Sequence, residues 1–353
     1  MSQKNIYQAL GVMSGTSLDG VDLAICSFKR NENWNFKIKK CTTKKYTKLW
    51  INTLQNLHKK DEKTIARINV EYGKYLGTLI NAFLDENKVD FIASHGHTIF
   101  HNPDNNYTLQ IGDGITIAKT TQITTINNFR SLDVSLNGQG APLVPIGDLH
   151  LFSDYMYCIN LGGFANISIK KSKSITAFDI CPVNIVINKL SRELGREYDK
   201  NGHFAKKGDL IPKLLKTLND LEFYNQKPPK SLGREWVEEF INPMLILTYK
   251  TEDILHTFCE HIAMQIGKHL NNKKVLFTGG GVYNQYLMSR IRHYSNAEII
   301  IPSKKIIDYK EALIFAFLGV LRNRNEVNCL QSVTGAIRDN CGGEIHNALQ
   351  LKF

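Results

Sequence analysis

The sequence predicts an α/β protein of two similar lobes, and two observations carry that prediction. The chain has 353 residues, 42% of them apolar, which is more than one ordinary domain needs and enough for two separate cores. Each half also repeats one grammar: a hairpin with a tip of glycine and hydroxyl residues, then helices, then a strand that ends in glycine. Identity between the halves is negligible, so the repeat lies in the pattern and not in the letters. No Pro- or Ser-rich linker interrupts the chain. Structured crossovers near residue 140 should therefore join a first lobe over 1–140 to a second over 141–353, with the C-terminal segment able to return to the first.

The elements follow in order. Residues 7–12 and 21–28 are apolar runs separated by a turn rich in Gly, Ser, Thr and Asp, and Trp34 to Cys41 alternates in the manner of a strand. Together they read as an antiparallel meander. Helical spacing of apolar residues marks Leu49 to Leu57 and Ile65 to Leu84. Phe91 to Ser94 is a strand stopped by His95-Gly96, and Tyr107 to Ile111 and Ile123 to Ile126 are further short strands. In the second half, Tyr155 to Asn160 and Ala165 to Ile169 form a hairpin around Leu161-Gly162-Gly163. Helices are expected around Ile185 to Leu194, Leu210 to Leu218 and Ile254 to Leu270. The strand Val275 to Thr278 then runs into Gly279-Gly280-Gly281, with a helix from Asn284, a strand from Glu298 to Ile301 and a last helix from Tyr309 to Leu321.

Composition narrows the function. The formal charge of +11 invites a nucleic-acid reading, but the lysines are scattered, as in Lys37, Lys39, Lys40, Lys44, Lys45, Lys59 and Lys60. No arginine-rich stripe with interleaved aromatics, zinc-finger or RNA-recognition signature appears, so no nucleic acid is expected as a partner. Basicity of this kind suits a solvated surface and anionic small molecules. The best apolar candidate for a membrane span, Leu313 to Leu321, is too short and follows Glu311. The N-terminal segment lacks the apolar core of a signal peptide. Seven cysteines without a Cys-x-x-Cys pair argue for reduced thiols. A cytoplasmic protein that uses no membrane is the expectation.

Three glycine turns bear on chemistry. A tip of Gly, Ser and Thr presents backbone N–H groups and hydroxyls to one point, which suits phosphate oxygens. In the turn Gly15-Thr16-Ser17-Leu18-Asp19-Gly20-Val21-Asp22, Asp19 and Asp22 add hard oxygen ligands for Mg²⁺, directly or through water. Gly162-Gly163 and Gly279-Gly280-Gly281 are the other two. One such loop is an ordinary turn at least as readily as a ligand site, whereas three make nucleotide binding a matched competitor. Neither the Walker A loop nor the dinucleotide fingerprint is present.

Asp179 follows an apolar run and precedes a helix expected near Pro182, so it reads either as a rigidly held general base or as that helix's N-cap. His95, His97 and His101 have a metal-like spacing, but zinc would need a fourth ligand that nothing supplies, which leaves hydrogen bonding or substrate contact. Arg130 suits either a bidentate pair with a substrate carboxylate or a structural ion pair.

In these blocks the chain resembles the anhydro-N-acetylmuramic acid kinase family, within the sugar-kinase, actin and heat-shock ATPase superfamily. The likeness runs nearly end to end and in order. It takes in Gly11 to Asp22, Ser94-His95-Gly96, Leu109 to Gly114, Gly138 to Pro145, Asn160 to Gly163, Tyr198-Asp199 with Gly202, Ala205 and Gly208, Pro228 to Ser231 with Gly233-Arg234-Glu235, Thr278 to Gly281, Lys310-Glu311-Ala312 and Val333 to Ala336. The first block alone is highly specific.

The resemblance implies a duplicated ribonuclease-H-like (actin-like ATPase) fold with ATP and Mg²⁺ in an interlobe cleft, and a homodimer. It implies an enzyme of cell-wall recycling that opens the 1,6-anhydro ring of 1,6-anhydro-N-acetylmuramic acid with water. The same enzyme phosphorylates the 6-oxygen and yields N-acetylmuramic acid 6-phosphate. Asp179 falls at the family's catalytic aspartate, and the γ-phosphoryl group would be held by the loop Gly15 to Asp22 with Mg²⁺; Gly162-Gly163 and Gly279-Gly280-Gly281 are taken as further nucleotide contacts, and Ser94, His95, Arg130 and Glu311 as sugar contacts. The chain departs from the family where Asp-Thr-Gly-Pro-Gly-Asn becomes Asp179-Ile180-Cys181-Pro182-Val183-Asn184. Asn188 and Asn128 stand for aspartates, and His97 for a glutamine. A kinase of another 1,6-anhydrosugar, or a catalytically silent ATP- and sugar-sensing protein, are the competing readings.

Overall fold

The computed structural model describes residues 4–15, 17–171, 174–245 and 249–348. By internal contacts the chain forms two units, residues 1–151 with 309–353, and residues 152–308.

The first unit opens with β1 (Ile6–Ser14), β2 (Val21–Arg30) and β3 (Trp34–Lys44). β1 pairs antiparallel with β2, and β2 with β3. The helices α1 (Lys48–Asn56) and α2 (Glu62–Leu84) follow. α2 starts where the Asp61 carboxylate accepts the Thr64 N–H, and it buries Ile65, Ile68, Tyr72, Leu76, Ile80 and Phe83 at helical spacing. β4 (Phe91–Ser94) lies parallel to β1. β5 (His97–Asn102) and β6 (Tyr107–Ile111) form a separate two-stranded hairpin. After α3 (Gly114–Thr121), β7 (Thr125–Asn127) lies parallel to β4, and α4 (Ser131–Ser135) and α5 (Pro145–Leu151) complete this stretch.

The second unit repeats the plan. β8 (Tyr157–Leu161), β9 (Phe164–Lys171) and β10 (Ser174–Pro182) form a second antiparallel meander. The helices are α6 (Asn184–Glu193), α7 (Pro212–Asn219), the short α8 (Arg234–Trp236) and the buried α9 (Thr251–Gly267). β11 (Lys274–Thr278) lies parallel to β8, α10 (Gln285–His293) follows, and β12 (Glu298–Ile300) lies parallel to β11. α11 (Lys304–Asn323) then carries the chain back, and the division between units falls at Tyr309, whose backbone is non-helical (φ −120°, ψ 16°). β13 (Glu344–His346) joins β7 antiparallel.

The two sheets therefore read β13-β7-β4-β1-β2-β3 and β10-β9-β8-β11-β12. Without β13, both have three antiparallel strands, then two more added in parallel on the other side of the first. That order and its directions define the ribonuclease-H-like sheet, and the chain builds it twice. The first core gathers Leu10, Val12, Leu23 and Ile25 beneath α2, and the second gathers Ile159, Ile167 and Phe277 with α6 and α9. On its other side β1 meets α11 so closely that a Cβ on Gly11 would lie 1.8 Å from the Ala312 carbonyl oxygen. A glycine is obligatory there.

Several elements differ from the sequence expectation. β10 continues through Asp179 to Pro182, so the helix expected near Pro182 starts at Asn184. α11 begins at Lys304 and the expected start, Tyr309, is its kink. β5 and β13 had no periodic signal because they are short and half-exposed. None of the seven cysteines forms a disulfide.

Candidate active site

In the first unit, the turn after β1 is built by short-range bonds. Leu18 N–H donates to the Gly15 carbonyl (3.3 Å), and Leu18 sits in the left-handed region (φ 59°). Ser17 Oγ donates to Asp19 (2.9 Å), and Thr43 Oγ1 on β3 donates to Asp22 (2.5 Å). Gly20 and Val21 are buried at the start of β2, while Ser17 and Asp19 are exposed. Thr16 lies outside the described residues. At the root of the turn, Ser14 Oγ bonds to His97 Nδ1 (2.8 Å) and Tyr46 Oη (2.5 Å), and Tyr46 continues to Tyr72 (2.5 Å). Burial lowers His97 to about 4, so its ring is neutral.

Arg130 faces His95. Its Nε (3.1 Å) and Nη2 (2.9 Å) both donate to His95 Nε2, and its Nη1 donates to the Gly140 carbonyl (2.6 Å). His95 Nε2 is therefore the bare nitrogen, and Nδ1 carries the hydrogen that goes to the Gly96 carbonyl (2.9 Å). Burial, then the Arg130 charge, hold His95 well below the usual histidine range. Glu311 on α11 opens to solvent, but protein atoms crowd it on its other sides. That crowding raises its carboxyl; Arg130 opposes the rise, and Asp22 and Asp19 add to it. Asp19, Asp22, Arg130 and Glu311 thus share one electrostatic neighbourhood. Ser94, by contrast, is fully buried, and among the described residues its hydroxyl has no hydrogen-bond partner.

Asp133 was missed by the sequence reading. It is fully buried and accepts from Gly140 N–H (2.8 Å), Cys329 Sγ (3.0 Å), Thr334 Oγ1 (2.9 Å) and Asn340 Nδ2 (2.7 Å). It fixes the backbone at Gly140, whose carbonyl in turn holds Arg130. Its place three residues after Arg130 was the available signal.

In the second unit, the pairing of β10 with β9 shifts register between Asp179 and Cys181. Strand alternation points Asp179 away from the core between buried Phe178 and Ile180, and the bulge that follows lets Ile180 and Cys181 both stay in it. Asp179 caps no helix: the N-cap position of α6 is Val183. Its Oδ2 accepts the Leu232 N–H (2.9 Å) instead. Burial raises its carboxyl, and the Leu232 bond works against that rise. The Gly162-Gly163 turn ends β8, and its carbonyls accept the N–H groups of Val183 (2.8 Å) and Asn184 (3.3 Å). Asn184 Nδ2 also donates to Gly162 O (2.8 Å).

Gly279 has φ +84°, and a Cβ there would stand 2.7 Å from Leu161 O; one on Gly281 would stand 2.7 Å from Leu161 Cβ. The two glycine turns thus pack on each other. Gly280 has open space around it. Beside them is a cavity of about 410 Å³ that includes Gly280, Gly281, Tyr283, Asn284 and Asn188. A second cavity, of about 840 Å³, is lined by Arg196, Lys200, His203 and Lys206 and shares Tyr198 and Asn201 with the first. The sequence reading quoted this block but assigned it no role.

The metal-like histidines go to separate partners, His95 to Arg130, His97 to Ser14 and His101 to Thr108 (3.0 Å). Among the described residues no group of three or more His, Cys, Asp or Glu side chains could hold a metal. Asp19 and Asp22 nevertheless fit Mg²⁺, which commonly takes one or two carboxylates and fills its other positions with water and phosphate oxygens.

With the same five-strand order built twice, the molecule is a duplicated ribonuclease-H-like α/β protein. Sequence comparison narrows that class. The model of the anhydro-N-acetylmuramic acid kinase family matches residues 7–348, and the chain belongs to that family. It is 35% identical to the anhydro-N-acetylmuramic acid kinase of Francisella tularensis subsp. novicida, over 93% of this chain and 95% of the relative. It is 36% identical to that of Actinobacillus pleuropneumoniae serotype 3, over 94% and 96%. A solved activator of 2-hydroxyisocaproyl-CoA dehydratase from Clostridium difficile aligns at TM-score 0.43 and 14% identity over 90% of this chain and 97% of its own, too distant to carry an argument. The protein is thus an enzyme of the kinase class. No helix among the described residues is long and apolar enough to cross a membrane.

Proposed function

We propose that this kinase acts on 1,6-anhydro-N-acetylmuramic acid with ATP and water, giving N-acetylmuramic acid 6-phosphate and ADP. The observation that carries the assignment is Asp179, a carboxylate that faces away from the core just before a bulge and is fixed by the Leu232 N–H. In the reaction a water oxygen bonds to C1 and its proton passes to Asp179. The C1–O6 bond opens, O6 bonds to the γ-phosphorus of ATP, and the bond to the β-phosphate oxygen breaks. Oxocarbenium character at C1 adds an electrostatic role for the same carboxylate.

Gly15 to Asp22 would cradle phosphate oxygens, and Gly162-Gly163 and Gly279-Gly280-Gly281 would border the nucleotide, with the cavity beside Gly280 for the nucleoside. Asp19 and Asp22 would hold Mg²⁺, which neutralises phosphate charge when bound. Arg130 spends three donors on His95 and Gly140, so it acts by fixing His95 more readily than as a bidentate clamp. Glu311 is left as the accessible polar group for sugar hydroxyls. The departures Ile180, Cys181 and Val183 are all buried in the second core. They alter packing behind Asp179 and do not remove a site group, which favours an active enzyme over a silent sensor.

The test is ADP release with ATP, Mg²⁺ and the anhydrosugar, with a no-sugar control and product mass. A product heavier by one water and one phosphoryl group is expected. Sugar-independent ADP release, or none, would overturn the assignment. Equal turnover of an anhydrosugar lacking the lactyl group would move the substrate to another 1,6-anhydrosugar.

A further inference from the structure

We propose that the loop Lys230–Leu232 aims Asp179, with Lys230 as its positioning residue. The inference rests on the assignment of Asp179 as the base.

β10 is the outer strand of its sheet, so among the described residues its free edge has no ladder partner. At Asp179 that edge is taken by the loop: Asp179 N–H donates to the Lys230 carbonyl (3.1 Å), and Leu232 N–H donates to Asp179 Oδ2 (2.9 Å). One bond fixes the main chain of residue 179 and the other its carboxylate. Two anchors on the same short segment leave the carboxylate little rotational freedom. An N–H aimed at an ionised carboxylate also favours that form, against the burial that disfavours it. A base needs both, since it must be ionised before the reaction and oriented during it.

The segment from Gln226 to Gly233 belongs to no helix or strand, so something else must hold it. Lys230 does so. Its Nζ donates to the Phe223 carbonyl (3.0 Å) and lies 4.5 Å from the Phe223 ring centre and 5.8 Å from that of Phe178. Both rings are core residues, and Phe178 is the immediate neighbour of Asp179. The ammonium thus pins the loop to the strand that carries the base. The titratable groups around this arrangement are Cys181 on β10, Tyr224 beside Phe223, and Lys268 and His269 after α9. His269 packs edge-on to Phe178, with ring centres 5.1 Å apart.

The experiment is the pH profile of kcat for the full-length enzyme and its Lys230→Met, Lys230→Arg and Asp179→Asn variants, with ATP affinity measured alongside. Lys230→Met is expected to move the acid limb toward higher pH by about one unit, as loss of a hydrogen bond to the ionised carboxylate requires. Its kcat should fall roughly tenfold or more through lost orientation, with ATP affinity unchanged. Lys230→Arg keeps the cation and a donor, and should restore the limb. An unmoved limb in Lys230→Met overturns the proposal. A fully active Asp179→Asn instead sinks the base assignment, so the two failures are distinct. If Lys230→Met does not fold, Phe223→Leu removes the ring under the ammonium and must shift the limb in the same direction by less; an unmoved limb there overturns the proposal equally.

Discussion

Asp179→Asn keeps the size of the side chain and an oxygen for the Leu232 N–H while removing the proposed base. Turnover should fall by about 10²–10⁴, the range of general-base catalysis, with ATP binding preserved; calorimetry beside ADP release checks both. Because burial raises the Asp179 carboxyl, wild-type kcat should decline as pH falls through a limb above the ordinary aspartate value of about 3.9. Gly280→Ala separates ligand space from packing. Its Cβ meets nothing within 4 Å, so the melting temperature should hold while KM for ATP rises; an unchanged KM would remove Gly280 from the nucleotide site. At this scale the sequence showed which residue types mattered and not where they point. Ile180, Cys181 and Val183 looked like losses beside the base, yet all three face the core. The bulge after Asp179 resets the alternation by which side-chain direction is read along a strand, so that Ile180 and Cys181 both turn inward.

Among the elements, the crossing of β1 and α11 is the least forgiving. Gly11→Ala would place a methyl 1.8 Å from the Ala312 carbonyl. Since that atom is backbone, the whole helix must shift, and Glu311 with it. Destabilisation of about 1–3 kcal/mol or more is expected from overpacking, seen as a lower urea midpoint with reduced turnover. The strands of the first meander and α2 were legible because their apolar spacing is regular and their buried faces are complete. β10 was not, because Asp179 and the bulge break its period just where it carries the site. α11 was legible only from Tyr309, since its first turn opens with the exposed Lys304 and Lys305 and joins the rest through a kink. The Lys230 loop has no period at all, and only its prolines and lysine marked it.

For the whole molecule, buried neutral histidines set the response to acid. Burial lowers His97 and His269 to about 4 and His261 to about 3, and His95 well below its usual range. Each is depressed relative to the unfolded chain, so its contribution is full above about pH 6.5 and is lost as pH falls toward the folded values. Asp179 and Glu311 are raised and act in the opposite sense, but they are fewer. Stability should therefore fall steadily between about pH 6.5 and 4, by at most about 1.4 kcal/mol per pH unit for each fully buried histidine and by less for the half-buried His269, read as a falling melting temperature; a flat profile would contradict their burial. The two-lobed plan was visible in the repeated grammar of hairpin, helices and glycine-ended strand. The strand order was not, because pairing across 80 or more residues, as between β1 and β4, leaves no local trace. That long-range pairing also orders events during synthesis. The carboxylate of Asp133 emerges from the ribosome long before Cys329, Thr334 and Asn340, three of its four donors. At about 5–20 residues per second the wait is roughly ten seconds or more. The second unit, one continuous stretch of chain, can finish first, so the newborn protein matures from its middle outward.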